Sequence, residues 1–212
     1  MCKAPTFETD QKKCGKVCGD DILVEGCSDT KDCVVPSVGI PVVRQLFKAQ
    51  HDASGGNGAY NWSVIGGALP PGYNLSASGY WDVVVTTPGD YATKVRVVDS
   101  QGKSGCVTFT WPVQELVITP PSQTITGIHV GMPVSASLSV TGGNGSYSWS
   151  VVDGALPTGY AMDKNGVFSG TVLKAGTYTA IIRVTDDKTN TPPISTAGYS
   201  EATYTWIITG GS

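Results

Sequence analysis

Residues 55–81 and 142–168 are two copies of one segment. Gly55-Gly56-Asn57-Gly58, Tyr60, Trp62, Ser63 and Val64 return as Gly142-Gly143-Asn144-Gly145, Tyr147, Trp149, Ser150 and Val151. Gly67-Ala68-Leu69-Pro70, Gly72 and Tyr73 return as Gly154-Ala155-Leu156-Pro157, Gly159 and Tyr160. The offset is 87 throughout and 15 of the 27 aligned positions are identical, so the likeness is not confined to one shared turn. A period of 87 is too long for a solenoid unit and suits a whole small β-domain. The chain is therefore read as a segment 1–34 followed by two tandem copies, 35–115 and 116–212.

The pattern inside the copies is that of strands. Phe47, Ala49, His51 and Ala53 alternate with polar residues, as do Val134, Ala136, Leu138 and Val140, and each run leads into a Gly-Gly-Asn-Gly turn. Tyr60, Trp62 and Val64 resume the alternation, matched by Tyr147, Trp149 and Val151. Pro88-Gly89-Asp90 and Ala175-Gly176-Thr177 open further strands at Tyr91–Val97 and Tyr178–Val184, and the last strands lie near Val107–Trp111 and Tyr204–Ile208. With 27 glycines, 13 prolines and no helical periodicity, the fold class is all-β: two tandem Ig-like β-sandwiches. In the second copy the turn before the last strand is longer by about eight residues, around Thr191-Pro192-Pro193-Ile194, and is expected to project as a contact loop.

Five of the six cysteines, Cys2, Cys14, Cys18, Cys27 and Cys33, fall in the first 33 residues; the sixth is Cys106. Only Ile22-Leu23-Val24 in that segment could pack, and fixing each backbone residue costs about 1–2 kcal/mol. The segment therefore needs cross-links, a metal or a partner to become ordered. Disulfides are the first reading, with Zn²⁺ on Cys14, Cys18, Cys27 and Cys33 as the alternative, at looser spacing than most structural zinc sites. Five is an odd number, so one of these cysteines must turn to Cys106, to another chain, or to nothing. Val107, Phe109 and Trp111 are read as facing inward, which places Cys106 on the outer face, where a cross-link would account for it.

At these residues a family resemblance emerges. The order Gly-Gly-Asn-Gly-x-Tyr-x-Trp-Ser-Val, Gly-Ala-Leu-Pro-x-Gly, Asn165-Gly166-Val167-Phe168-Ser169-Gly170-Thr171, Ala175-Gly176-Thr177-Tyr178 and Arg183-Val184-Thr185-Asp186 resembles the putative-Ig repeat of bacterial surface and bacteriophage proteins. The resemblance covers about residues 35–209 and implies a cadherin-like or Ig-like sandwich with no common catalytic site. The first copy departs from it at Trp81-Asp82-Val83-Val84-Val85, where the Ser-Gly-Thr step is missing. The segment 1–34 does not share it.

The site candidates have plain structural readings. Trp62 and Trp149 are core tryptophans. Tyr73 and Tyr160 read as core residues, with carbohydrate stacking as their alternative. Asp99, Asp186 and Asp187 sit in hairpin turns where Asp bonds its own backbone, against a calcium reading of the kind cadherin-like junctions suggest. His51 and His129 have no nucleophile or carboxylate at a diagnostic spacing, and no phosphate loop or metalloprotease motif occurs. No cofactor, resident metal or enzymatic activity is expected.

Charged residues are 15% of the chain and the net charge is −3, which gives nucleic acid no basic field to bind. No stretch of about 18 apolar residues occurs that could span a membrane as a helix. Met1-Cys2-Lys3-Ala4-Pro5 lacks the apolar core of a secretory signal, so the chain is expected either to be made in a cytosol and released, or to carry an initiator Met in place of its signal. Together these features predict a non-enzymatic structural protein of a bacteriophage virion, a capsid-decorating, neck or tail-associated subunit. Residues 1–34 would bind other virion proteins or further copies of the chain, and the Ig-like domains would project, with a host-surface glycan as a conceivable ligand. The alternative is a piece of a secreted bacterial adhesin that binds glycan or calcium; accessory modules of a glycoside hydrolase fit less well, because no pair of catalytic carboxylates is placed.

Overall fold

The computed structural model describes residues 41–187 and 197–211 together with the strand segments Ile22–Val24 and Cys33–Pro36. Cys2, Cys14, Cys18, Cys27 and the loop Thr191–Ile194 lie outside the described residues. The chain divides into two compact units, one ending at Gln114 and the next beginning at Glu115.

Among the described residues the first unit has nine strands. β1 (Ile22–Val24), β2 (Cys33–Pro36), β3 (Leu46–Gln50), β4 (Ala53–Gly55) and β5 (Asn61–Ala68) are followed by β6 (Asn74–Leu75), β7 (Tyr80–Val84), β8 (Gly89–Val98) and β9 (Ser104–Val113). A four-stranded sheet runs β2-β9-β8-β5, a three-stranded sheet runs β3-β7-β6, and β1 pairs with β4. The second unit repeats this plan strand for strand. β10 (Val117–Thr119), β11 (Gln123–His129), β12 (Pro133–Ser137), β13 (Ser139–Thr141) and β14 (Tyr147–Gly154) precede β15 (Tyr160–Met162), β16 (Val167–Thr171), β17 (Gly176–Asp186) and β18 (Tyr199–Thr209). Its sheets run β11-β18-β17-β14 and β12-β16-β15, with β10 paired to β13. In each unit one edge strand runs parallel to the last strand, β2 along β9 and β11 along β18.

The two sheets of each unit face one another across an apolar layer. In the first, Trp62, Val95, Val97 and Val107 pack from the four-stranded sheet, and Phe47, Trp81 and Val83 pack from the three-stranded one with Trp111. Trp62 opposes Val97 and Trp149 opposes Val184, equivalent buried positions in equivalent strand pairs. The tryptophans are core residues, as the alternation of their strands requires.

Two features go beyond the sequence reading. β1 lies inside the segment 1–34, yet it pairs with β4 as β10 pairs with β13, and Val24 packs against Trp62 and Val107. Ile22-Leu23-Val24, although inside the segment 1–34, is therefore a strand of the sandwich. Burying a valine contributes about 1.5–3 kcal/mol. Cys106 also differs: it is buried, not outward on a solvent face. Every residue from Ser104 to Thr108 is buried, so this half of β9 is covered on both faces. Alternation assigns residues to two faces without saying which face is wet. Cys106 is disulfide-bonded.

The departure at Trp81–Val85 leaves the strand intact. β7 pairs with β3 along its whole length, as β16 pairs with β12. What changes is the approach of the neighbouring strand. Gly170 (φ 133°) exists because a Cβ there would lie 2.0 Å from the Gly159 carbonyl oxygen. Its counterpart is Val83, whose side chain is buried, and in that unit the β6–β7 pairing stops at Asn74 and Asp82.

Gly170→Ala is expected to destabilise the second unit by about 3 kcal/mol or more, because strain and a backbone clash add. Gly131→Ala, at φ 88° with nothing within 4 Å of the new methyl, should cost about 1 kcal/mol. Chemical denaturation of the two variants checks this; equal losses would show that the close approach at Gly170 is unimportant.

Candidate functional site

The sequence candidates are placed first by the carboxylates. Asp99 is buried at the end of the β8 hairpin and its Oδ2 accepts the Asn57 backbone N–H at 3.0 Å. Its Oδ1 accepts the N–H groups of Gln101 and Lys103 at 2.9 and 2.8 Å. Asp186 does the same across its own unit, its Oδ2 accepting the backbone N–H and the side-chain amide of Asn144, each at 2.9 Å. A Cβ on Gly56 or Gly143 would come within 2.5 or 2.6 Å of the carboxylate oxygen, which is why glycine precedes each asparagine. Tyr60 and Tyr147 donate their hydroxyls to the carbonyls of Gly55 and Gly142 and close the turn from its other end. Burial pushes the Asp99 carboxyl up, but the N–H groups of Asn57, Lys103 and Gln101 outweigh it and hold the pKa below its ordinary value. Asp187 accepts the Ser148 hydroxyl at 2.8 Å. These acids are turn latches, and among the described residues no group of three or more His, Cys, Asp or Glu gathers to hold a metal ion.

His51 is a core residue of unusual kind. Its ring stacks on Phe109, Trp62 and Trp81 at centroid distances of 4.7, 5.2 and 5.6 Å. The Tyr73 hydroxyl lies 3.5 Å from its Nε2. Burial lowers the pKa of His51 to about 4 and pushes that of Tyr73 up. The counterpart of His51 is Leu138, and the counterpart of Trp81 is Phe168. With these smaller groups the second unit keeps an apolar cavity of about 100 Å³, bordered by Leu138, Tyr160 and Phe168. The Tyr160 hydroxyl is buried there without a partner among the described residues. Tyr73 and Tyr160 both serve the interior, Tyr73 by stacking on Trp81. His129 is exposed at the end of β11.

Strand register shows one surface on which the copies differ. On the outer face of β3-β7-β6, strand register builds three rows: Leu46 with Val84, Lys48 with Asp82 and Asn74, and Gln50 with Tyr80. Tyr80 and Val84 are 44% and 47% exposed, large side chains left in water. The Gln50 amide is engaged, donating to the Ser78 and His51 carbonyls at 2.7 and 3.1 Å. The same rows on β12-β16-β15 read Pro133 with Thr171, Ser135 with Ser169 and Ala161, and Ser137 with Val167. One copy thus presents an aromatic, charged and amide-bearing face where the other presents mostly small side chains beside Pro133 and an exposed Val167. Beside the Leu46–Val84 row a groove of about 330 Å³ opens, bordered also by Pro71, Asn74, Asp82 and Thr86. The sequence reading did not single out this face; comparing the outward positions of the two copies would have found it.

Acid should weaken the first unit through His51. The folded pKa lies below the unfolded one, so the unfolded chain takes up the proton first. Stability is full above pH ~6.5 and falls as pH drops toward 4, by about 3 kcal/mol in all. Asp99, whose folded pKa is lowered, adds a further loss only at lower pH, as its carboxylate protonates. Denaturation of wild type and His51→Leu between pH 7.5 and 4 checks this: the loss over that window should vanish in the variant. An unchanged pH slope would show that His51 is not held neutral.

Residues 116–209 match a protein-family model described as a putative Ig domain. No curated protein matches the chain. Among solved structures it is similar to extracellular cadherin domains 3–6 of protocadherin gamma B2, at 16% identity and a TM-score of 0.35, over 90% of this chain and 52% of that one. Mouse cadherin-23 domains EC22–24 give 17% and 0.34, over 89% and 67%. A SusE-like surface-located polysaccharide binding protein from Bacteroides thetaiotaomicron gives 14% and 0.39, over 84% and 33%. The chain thus spans about half the length of the protocadherin fragment.

Proposed function

With residues 116–209 forming a putative Ig domain and the first unit repeating its plan, we propose that the chain is a non-enzymatic display module. Its finer assignment is a structural protein of a bacteriophage virion, decorating the capsid, neck or tail. The observation that carries the reading is the way the copies differ. Their buried frameworks and carboxylate latches are shared, while one exposed face has been rebuilt in the first copy alone. A duplicated scaffold that varies on its surface suits binding or spacing, and the buried acids are already committed to holding turns.

The disulfide on Cys106 supports a cross-linked attachment segment. All other cysteines lie at positions 2–33, so within one chain this bond ties β9 to that segment. Four cysteines then remain there, an even number for two further bridges or one zinc site. In the chain-entropy model, a disulfide closing a loop of about 15 residues contributes about 3 kcal/mol. For a protein made in a reducing cytosol, the bridges would form after release, in an oxidising medium, and lock the attached state.

Quantitative mass spectrometry and non-reducing electrophoresis of native material test the assignment. The chain is expected in purified particles at a fixed ratio to capsid or tail proteins, with Cys106 protected from alkylation until reduction. Recovery only in a bacterial envelope fraction, without particles, would replace the virion by the alternative carrier, a secreted adhesin.

A further inference from the structure

We propose that the outer face of β3-β7-β6 in the first unit is a binding site for a neutral sugar ring, seated in the groove beside Leu46 and Val84 and held by Asp82, Asn74 and Thr86. The inference names a ligand class for the display module proposed above and rests on that reading.

The groove is the product of two substitutions between the copies. In the second unit the loop before β15 lies against the end of β16: a Cβ on Gly159 would be 2.0 Å from the Thr171 carbonyl oxygen, and the Leu173 N–H donates to the Thr158 carbonyl at 2.9 Å. In the first unit Val83 stands at the place of Gly170 and Pro71 at that of Thr158. The loop has drawn back, and a Cβ on Gly72 would be 3.8 Å from the Val84 oxygen. No backbone bond joins Thr86 to Pro71 among the described residues. Val85 exchanges both of its backbone hydrogen bonds with the β3 side, through Gln45 and Arg44. The peptide groups of Val84 therefore turn the other way, into the groove, where β6 offers no register partner.

The chemistry of the face selects the ligand. A pyranose presents a flat patch of C–H bonds and a rim of hydroxyls, so it needs apolar surface beside several donors and acceptors. Leu46, Val84 and Pro71 supply the first, and Tyr80, four residues along β7 from Val84, supplies a second apolar platform for the next ring of an oligosaccharide. Rows on one sheet face are about 7 Å apart, which places the Lys48–Asp82–Asn74 row between the two platforms. That row holds one cation, one anion and one amide, so it is rich in hydrogen-bonding groups and carries no net charge to recruit an ion. The groove volume, about 330 Å³, falls at the lower end of ligand pockets, about 300–1,000 Å³. A peptide strand is the poorer occupant, because beyond Asp82, its last β6 partner, β7 runs only to Val84, too short a ladder for strand addition.

The full chain should be tested on an array of neutral and anionic oligosaccharides, and any positive neutral oligosaccharide then titrated in solution. Binding to neutral oligosaccharides is expected, weakened about tenfold or more by Asp82→Ala and by Tyr80→Ala. Ser169→Ala and Val167→Ala, the same positions in the second unit, should leave it unchanged. All four positions are on outer strand faces, and melting curves confirm that each variant is folded. Failure to bind any neutral oligosaccharide, or binding that survives both Asp82→Ala and Tyr80→Ala, overturns the proposal. So does binding confined to sulfated or carboxylated sugars that high salt abolishes, which would make Lys48 the determinant. A chain found in particles that binds no neutral sugar overturns the site alone. Binding by a chain absent from particles overturns the virion carrier and leaves the site.

Discussion

Each sandwich depends on one buried carboxylate that reaches across 42 residues to hold its glycine turn. The Gly-Gly-Asn-Gly segments present the Asn57 and Asn144 backbone N–H groups to this carboxylate, and a hydrogen bond to a charged acceptor is stronger than one between neutral groups. Asp99 and Asp186 receive them, and in doing so bind the turn before the tryptophan strand to the turn after the longest strand. The register of Trp62 against Val97, and of Trp149 against Val184, is thereby fixed at its open end. A one-residue slip would carry the tryptophan to the wet face, so the latch protects the largest side chain in the core. The glycines follow from the latch, because a side chain at Gly56 or Gly143 would occupy the place of the carboxylate oxygen.

The parts of this fold legible in the sequence are those where local pattern and global structure agree. Period-two alternation places Trp62, Trp149 and the long strands, and the offset of 87 doubles the signal. The acids are legible as turn residues, but their partners are not, because nothing in a hairpin Asp says that a turn 42 residues earlier will meet it. β1 escapes the pattern for a different reason. It is three residues long and has no repeat counterpart by identity, and its neighbourhood is too polar to suggest a core. Its counterpart Val117-Ile118-Thr119 is the clue, since a sandwich whose second copy opens on an apolar triplet needs one in the first. Cys106 lies on the face opposite Val107, as alternation requires, but alternation alone cannot tell a covered outer face from a wet one.

His51 shows how a titratable group can be absorbed into packing. A neutral imidazole is flat, and here it fills the space between three aromatic rings where the second copy has only Leu138 and a cavity. Burying it neutral requires little at neutral pH, because the proton is already absent from most of the unfolded chain. The same substitution makes the first unit acid-sensitive in a range where its twin has no such group. Read from sequence, a histidine invites a search for a nucleophile; read in the structure, it is an aromatic ring of convenient size.

The duplication supplies its own control for the surface argument. Both copies must satisfy the same latch, the same tryptophan register and the same sheet order, so differences between them at buried positions are compensated by neighbours, as His51 and Trp81 replace Leu138 and Phe168 together. Outer-face positions face no such constraint, and drift alone would scatter small and polar residues over them, much as the second copy has Ser135, Ser169, Ala161 and Ser137. The first copy instead collects Leu46, Lys48, Asn74, Tyr80, Asp82 and Val84 on adjoining rows, and replaces Gly170 by Val83, which prevents the close approach that seals the edge in its twin. Exposing a tyrosine and two large aliphatic groups beside an opened strand edge adds nothing to folding and invites unwanted association. The second copy exposes apolar groups of its own, Val167 at the place of Tyr80 and Leu173 at that of Thr86, so what sets the first copy's face apart on a common backbone is its aromatic ring and the Lys48–Asp82–Asn74 row.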